Sequence, residues 1–514
     1  MRNRSLRLRA ASSSLLVVLS LVGCSSDPQG HDLGPATSAG STAQEGGSPS
    51  NEAAGPVDDG ALADLVLEAP AEVVARRGES VAFDVKLTGS AWSDVTMTLA
   101  GAPPGVTLEK TADTSGSLTL GSDASAAVGD FELTLIAKSG DRTSSRQIVF
   151  TVAGAPGSLD TSFGNNGKVA FGSSYTGRAM IADPSGRLLV LYDSSQLVHV
   201  ARLKWDGTLD ESFDEDGITN VTFIPGAPFQ YAKSFTLLEG GDIAVVGESG
   251  TGNAFSTCLA RLDSAGQRTG LDGDGRVCLS GGNAAQGRYV MPLGADGILV
   301  TGALNGAPSA WKVNASGQLD TAFGDGDGTT VWKEDGDPPY ARPLPLGSGF
   351  LLPVGATTKL SLVRFDAKGE LMTSFGDAGR IILSGHTLLS ATPGPGGRSF
   401  VATHKGGKRY ALVLDSAGHG DAAFGDSGVI ELSHPSGWVE RVYPSDKPSE
   451  LFAAVGLEGH AYLGRIDVHG VPDASFGGNG AVSVESENIM GLTPLPRSRV
   501  AVFTVDGVVF RLWR

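Results

Sequence analysis

Gly157-Ser158-Leu159-Asp160-Thr161-Ser162-Phe163-Gly164-Asn165-Asn166-Gly167-Lys168-Val169 is a phrase that returns along the chain at steps of 49 to 58 residues. Its aromatic position is held in turn by Phe163, Phe213, Leu271, Phe323, Phe375, Phe424 and Phe476. Self-similarity at such a period marks copies of one supersecondary unit, none of which can bury its own apolar face alone. Within a copy the apolar runs are short. Lys168–Phe171, Arg178–Ile181, Gly186–Leu191 and Val198–Leu203 read as four strands, the content of one propeller blade. The third run recurs as Gly241–Val246 and Gly297–Val300, and the fourth as Leu259–Asp263 and Leu362–Asp366.

The full pattern, Gly-x-Leu-Asp-x-Ser-Phe-Gly-x-x-Gly-x-Val followed by a Gly-led apolar strand and then apolar-x-Arg-apolar-Asp, resembles the delta-60 repeat family. The resemblance covers residues 157 to 514, with the third copy departing most, where Gln267-Arg-Thr-Gly-Leu271 replaces the Leu-Asp-x-Ser-Phe core. It implies a β-propeller of seven repeats over 154–514, on a bacterial surface or secreted protein, and implies no activity.

Upstream, residues 61–153 change to period-two alternation, as in Val81–Leu87, Val95–Leu99, Phe131–Leu135 and Ile148–Val152, with turn signals between. This pattern resembles an immunoglobulin-like β-sandwich. The expected fold is therefore all-β, a seven-bladed propeller preceded by that sandwich. Residues 24–60 are Ser-, Gly-, Ala- and Pro-rich with few large apolar side chains, and read as a disordered tether. Residues 1–23 carry Arg2, Arg4, Arg7 and Arg9 ahead of an apolar stretch, the order of a secretory signal peptide. The stretch ends Leu21-Val22-Gly23-Cys24, which resembles the bacterial lipobox and implies acylation of Cys24. The corresponding address is the cell envelope, at the outer membrane or cell surface, with the membrane as partner through the lipid anchor.

A net charge of −17, from 56 Asp and Glu against 39 Lys and Arg, argues against nucleic acid as a partner, because phosphate binding needs a basic face. With 73 Gly and 26 Pro, the composition suits short strands and tight turns. Besides Cys24 there are only Cys258 and Cys278, which an exported compartment permits to pair; two free buried thiols are the alternative.

Residues that repeat are scaffold first. Asp160, Asp210, Asp320, Asp421 and Asp473 are placed to accept hydrogen bonds from the following backbone, and Arg202, Arg261, Lys312, Arg364, Arg465 and Arg511, on the fourth strand, either pair with such loop carboxylates or point into solvent. The acidic Gly-rich stretches Asp214–Gly217, Asp272–Gly275 and Asp325–Gly328 offer oxygen ligands that calcium would accept, yet share their frame with neutral copies, so turn chemistry explains them without a metal or other cofactor. No nucleophile elbow, phosphate loop or His-Glu-x-x-His occurs, and no catalytic residue is assigned. The work expected is binding of a protein, glycan or small ligand. Segments that break the repeat, Ile224–Tyr231, Lys333–Arg342 and His434–Tyr443, are where contacts are expected, and Trp332, Tyr340, Trp438 and Tyr443 are the candidate ligand-binding aromatics. An extracytoplasmic hydrolase or lyase is the alternative and would need unrepeated groups such as Asp335, Asp337, Glu440, His386 and His434 to converge. A passive structural spacer is the third.

Overall fold

The computed structural model describes residues 64–110, 116–172, 174–194, 197–251, 254–279, 285–333, 342–356, 359–434 and 437–514. Cys24 and the segments read as a signal peptide and a tether lie outside the described residues. Leu62–Arg514 form one compact unit, and no helix among the described residues is long and apolar enough to cross a membrane.

The recurring phrase is a hairpin. In its second copy the strand Leu197–Leu203 enters the turn, Gly217 takes φ 88°, and Ile218–Val221 leaves antiparallel to it. Phe213 N–H donates to Asp210 O at 2.8 Å and Gly217 N–H to Phe213 O at 2.7 Å, closing the turn internally. Gly is required at that last position because only it accepts positive φ without strain; Gly167, Gly275, Gly328, Gly379, Gly428 and Gly480 repeat it, all at positive φ. The aromatic position is a plug. Phe163, Phe213, Leu271, Phe323 and Phe476 are at most 1% exposed, and each such burial contributes about 1.5 to 3 kcal/mol.

Among the described residues the region from Lys168 to Trp513 holds seven four-stranded antiparallel sheets. The first comprises Tyr175–Ala182, Leu188–Ser194, Leu197–Leu203 and Ile218–Val221. This offsets the sheets by one strand from the reading of one copy as one sheet. Because the phrase itself makes the last hairpin of a sheet, each copy's opening strand belongs to the preceding sheet. Lys168–Ala170, which has no preceding sheet in the chain, pairs instead with Val508–Trp513 at the C-terminus.

That pairing returns the last sheet to the first. Seven apolar clusters each join two consecutive sheets, and one of them packs Phe163, Met180 and Val190 against Leu495, Phe503 and Val509, across the join. Sheets approach closely there: a Cβ on Gly177 would collide with the Thr504 carbonyl oxygen and the Phe503 ring.

The N-terminal part has a four-stranded sheet (Glu72–Arg76, Arg142–Ala153, Gly129–Ser139, Thr96–Ala100) facing a three-stranded one (Ser80–Asp84, Ser117–Ser122, Val106–Lys110). Val73, Leu133 and Phe150 of one sheet meet Leu120 of the other in the shared core. It docks where the large region closes on itself. Asp130 accepts hydrogen bonds from Trp205 Nε1 at 3.0 Å and Arg497 Nη1 at 3.2 Å, and lies 3.0 Å from Arg499 Nη2.

Candidate functional site

The repeated polar residues form latches within the scaffold. Arg202 Nε donates to Asp210 Oδ2 at 2.8 Å while Asp210 Oδ1 accepts the Ser212 hydroxyl at 2.7 Å, and the guanidinium lies over the Phe213 ring at 4.7 Å. Arg465, Asp473, Ser475 and Phe476 repeat the set. At the closure Asp160 accepts from both Arg499 and Arg511, which are 0% and 1% exposed. Burial opposes the Asp160 charge, but Arg511, Arg499 and Ser162 outweigh it and hold the carboxyl below its ordinary range. In the third copy Arg261 turns to Asp242 at 2.9 Å, since its own phrase lacks the Asp. Carboxylates of the acidic turns are spent similarly: Asp216 and Asp327 accept from Ile218 N–H and Thr329 N–H, both at 2.8 Å.

The innermost strands are Tyr175–Ala182, Phe229–Leu237, Ala285–Pro292, Leu344–Leu346, Thr387–Pro393, Trp438–Pro444 and Ile489–Leu495. Six of them carry a register shift against the second strand, at Arg178, Lys233, Arg288, Leu389, Glu440 and Met490. A β-bulge re-aims the side chain it carries. Between these strands lies a cavity of about 500 Å³ whose lining includes Arg178, Lys233, Tyr289, Arg342, Arg441 and Tyr443. Apolar and small residues, among them Ala391 and Gly491, supply much of the remainder.

Arg178 and Lys233 are each backed by a carboxylate on the second strand, Asp193 at 2.7 Å and Glu248 at 2.8 Å. Asp193 also accepts the Ala232 N–H, and its burial raises its carboxyl above the ordinary value despite Arg178. The corresponding backing positions are Ala303 in the third sheet and Gly456 in the sixth. Arg342 donates Nη2–H to the Phe235 carbonyl at 2.8 Å, and burial pulls its guanidinium below its usual value. Arg441 donates to the Ile489 carbonyl at 3.1 Å and to the Tyr443 hydroxyl. Burial pushes the Tyr289 phenol up.

Of the aromatics singled out in the sequence, Tyr443 lines this cavity and is 9% exposed. Trp332 lies in the apolar core. It is 8% exposed, packed edge-on against Phe365 in the core between third and fourth sheets, because it follows directly on the strand Thr329–Val331. Trp438 stands on the rim, 57% exposed beside Arg409. Tyr340, Asp335 and Asp337 lie outside the described residues. His386 Nδ1 meets Thr403 Oγ1 at 2.9 Å, His434 Nε2 meets the Gly480 carbonyl at 3.1 Å, and Glu440 is exposed beside Gly456, three separate settings among the described residues. No three His, Cys, Asp or Glu converge on a metal position among the described residues. Cys258 and Cys278 are cross-strand partners joined by a disulfide. Sequence reasoning missed Arg178, Lys233, Tyr289, Arg342 and Arg441; the signal was their failure to repeat in strands whose neighbours repeat.

No protein-family model matches the chain, and no curated protein does. Among solved structures, it is similar to a catalytically inactive virginiamycin B lyase from Staphylococcus aureus with quinupristin, at 9% identity and TM-score 0.43, covering 68% of this chain and 98% of that one. A quinonprotein alcohol dehydrogenase-like protein from Bacteroides thetaiotaomicron gives 11% identity, TM-score 0.37 and coverage of 86% and 96%. The Dos1 propeller gives 11%, 0.36, 66% and 77%. Likenesses this distant carry no functional argument; the ring rests on its sheets and on the seven clusters between them.

Proposed function

We propose that the chain is an envelope lipoprotein whose delta-60-type repeats make a seven-bladed β-propeller, held out by an immunoglobulin-like domain and a tether from acylated Cys24, and that its work is to bind a ligand in the central channel. The observation that carries this reading is the cavity on the innermost strands: about 500 Å³, lined by residues that differ from copy to copy. Ligand sites of small molecules span ~300–1,000 Å³ and combine an apolar lining with a few convergent polar groups. The lining of Ala391, Leu492 and Met490 with Tyr443, Tyr289, three arginines and a lysine is of that composition.

The experiment is a screen of the purified full chain against small molecules, glycan fragments and envelope peptides, repeated on Ala391→Trp, which fills the channel. A ligand bound by the native chain and lost in the filled variant supports the reading. Hits that all survive filling, or no hits, refute it. Labelling with a radioactive fatty acid, with Cys24→Ser as control, tests the anchor separately.

A further inference from the structure

We propose that the channel ligand is an oxyanion, a small organic molecule bearing a carboxylate or phosphate that Arg342 and Arg441 grip together. This rests on the channel-binding reading above and names its ligand class. Four cationic side chains, Arg178, Lys233, Arg342 and Arg441, line the cavity, and among the described residues no carboxylate lines it. The chain as a whole has the opposite balance, 56 acidic residues to 39 basic ones. A positive interior inside an acidic shell is a local arrangement, not a reflection of composition.

The two arginines differ from the other cations of the channel. Arg178 and Lys233 are answered from behind by Asp193 and Glu248. Arg342 and Arg441 are held by backbone carbonyls, of Phe235 and Ile489, with no carboxylate within salt-bridge distance among the described residues. Glu440, the carboxylate that contributes to the field at Arg441, is exposed against Gly456. A guanidinium has five N–H donors in a rigid fork that suits carboxylate and phosphate oxygens. With one or two donors spent on fixing its orientation, each of these has several left for the cavity. Tyr289 and Tyr443 line the same cavity near both arginines. Both arginines are half-buried, and a desolvated cation with no counter-charge among the described residues is costly to fold. The cost is recovered when an anion arrives, and at a charge-assisted fork the recovery is large.

The test is calorimetric titration and thermal shift on the full chain with four probes: citrate, galacturonate, inorganic phosphate, and galactose as the neutral match to galacturonate. At least one anion is expected to bind and raise the melting temperature, galactose is expected not to, and added salt weakens binding. Citrate or galacturonate alone identifies a carboxylate; phosphate alone identifies a phosphate. Arg342→Met and Arg441→Met are each expected to lower anion affinity by about tenfold or more. Arg342→Met is also expected to raise the melting temperature of the ligand-free protein, an effect that does not depend on having found the best anion. No anion binding together with an unchanged or lowered ligand-free melting temperature in Arg342→Met overturns the proposal, as does anion binding that both variants retain. If the ligand screen finds a neutral molecule that Ala391→Trp expels and Arg342→Met does not affect, the oxyanion inference fails while the channel reading stands.

Discussion

Asp160→Asn should loosen the protein at the join between its last and first sheets. Asp160 is 1% exposed and takes charge-assisted hydrogen bonds from Arg499 at 2.5 Å and Arg511 at 2.9 Å, both of them buried. The amide keeps the bond to Ser162 but leaves two guanidinium groups short of a counter-ion, and removing one partner of a buried pair costs about 3 to 5 kcal/mol. The lower end is expected, because Asp130 still faces Arg499 at 3.0 Å. For a unit of about 450 residues unfolding as one body the entropy is roughly 0.95 kcal/mol per degree, so 3 to 5 kcal/mol is about 3 to 5 °C. The control is Asp473→Asn. Asp473 occupies the same motif position but its side chain is 41% exposed, so solvent screening reduces the expected loss to about 1 kcal/mol or less. Urea unfolding with hydrogen exchange provides the assay: the Asp160 variant should lose protection first in Lys168–Ala170 and Val508–Trp513. Equal losses in the two variants, or exchange that rises uniformly around the sheets, would refute the idea that this carboxylate latches the closure.

Reducing the Cys258–Cys278 bridge, or replacing both with Ala, opens a loop of 20 residues in sequence separation; chain entropy puts its contribution at about 3 kcal/mol, a melting shift of about 3 °C, and a native chain that releases no thiols on reduction contradicts it. Trp332→Ala should cost about 3 to 5 kcal/mol as a core cavity, whereas Trp438→Ala on the rim should stay within about 0.5 kcal/mol; comparable losses in urea would mean the rim side chain is packed. Asp160 and Asp130 both sit below their ordinary carboxyl range, so their contribution is fully present above the unfolded value of about 3.9 and is lost as pH falls through the lower native values. Asp160→Asn should therefore flatten the fall in stability between about pH 4 and pH 2, and an unchanged acid limb would say that this carboxylate is not ionised in the fold.

What the sequence made legible follows from how many times it said it. The phrase around Phe163 announced the repeat and its turn, because seven copies average out local ambiguity. The sheet boundary was not legible. A hairpin and a crossing between sheets look alike in a repeat, and only the pairing of Lys168–Ala170 with Val508–Trp513 decides which strand is borrowed. The channel was hardly legible at all. Tyr175–Ala182 is half-buried along most of its length and lacks the continuous apolar run that announced Leu188–Ser194. Tyr443 was found as an aromatic in a segment that broke the repeat, while Arg342 and Arg441 in or beside the same segments were passed over because a lone Arg carries no pattern.

The division between what repeats and what does not is itself a physical statement about where a ligand can act. A group copied into most sheets meets similar neighbours in each, as the Arg–Asp–Phe latch does, and its energy goes into holding sheets together. The innermost strands keep one backbone feature in six sheets, the bulge, yet place there Arg178, Lys233, Arg288, Leu389, Glu440 and Met490. Preserving the bulge while varying the side chain yields a cavity with cations from the first, second and sixth sheets and from Arg342 just ahead of the fourth and, at the bulges of the fifth and seventh, apolar side chains. Such a wall is unevenly charged around its circumference, which orients a molecule having one charged end. A symmetric ring of identical residues would bind an ion on the axis but leave its attached group undirected. Swapping Leu389 and Lys233 moves charge across the ring without altering its total. If the channel reads orientation, the double variant should lose affinity for an asymmetric anion such as galacturonate while retaining inorganic phosphate, and equal retention of both would leave the asymmetry without a role.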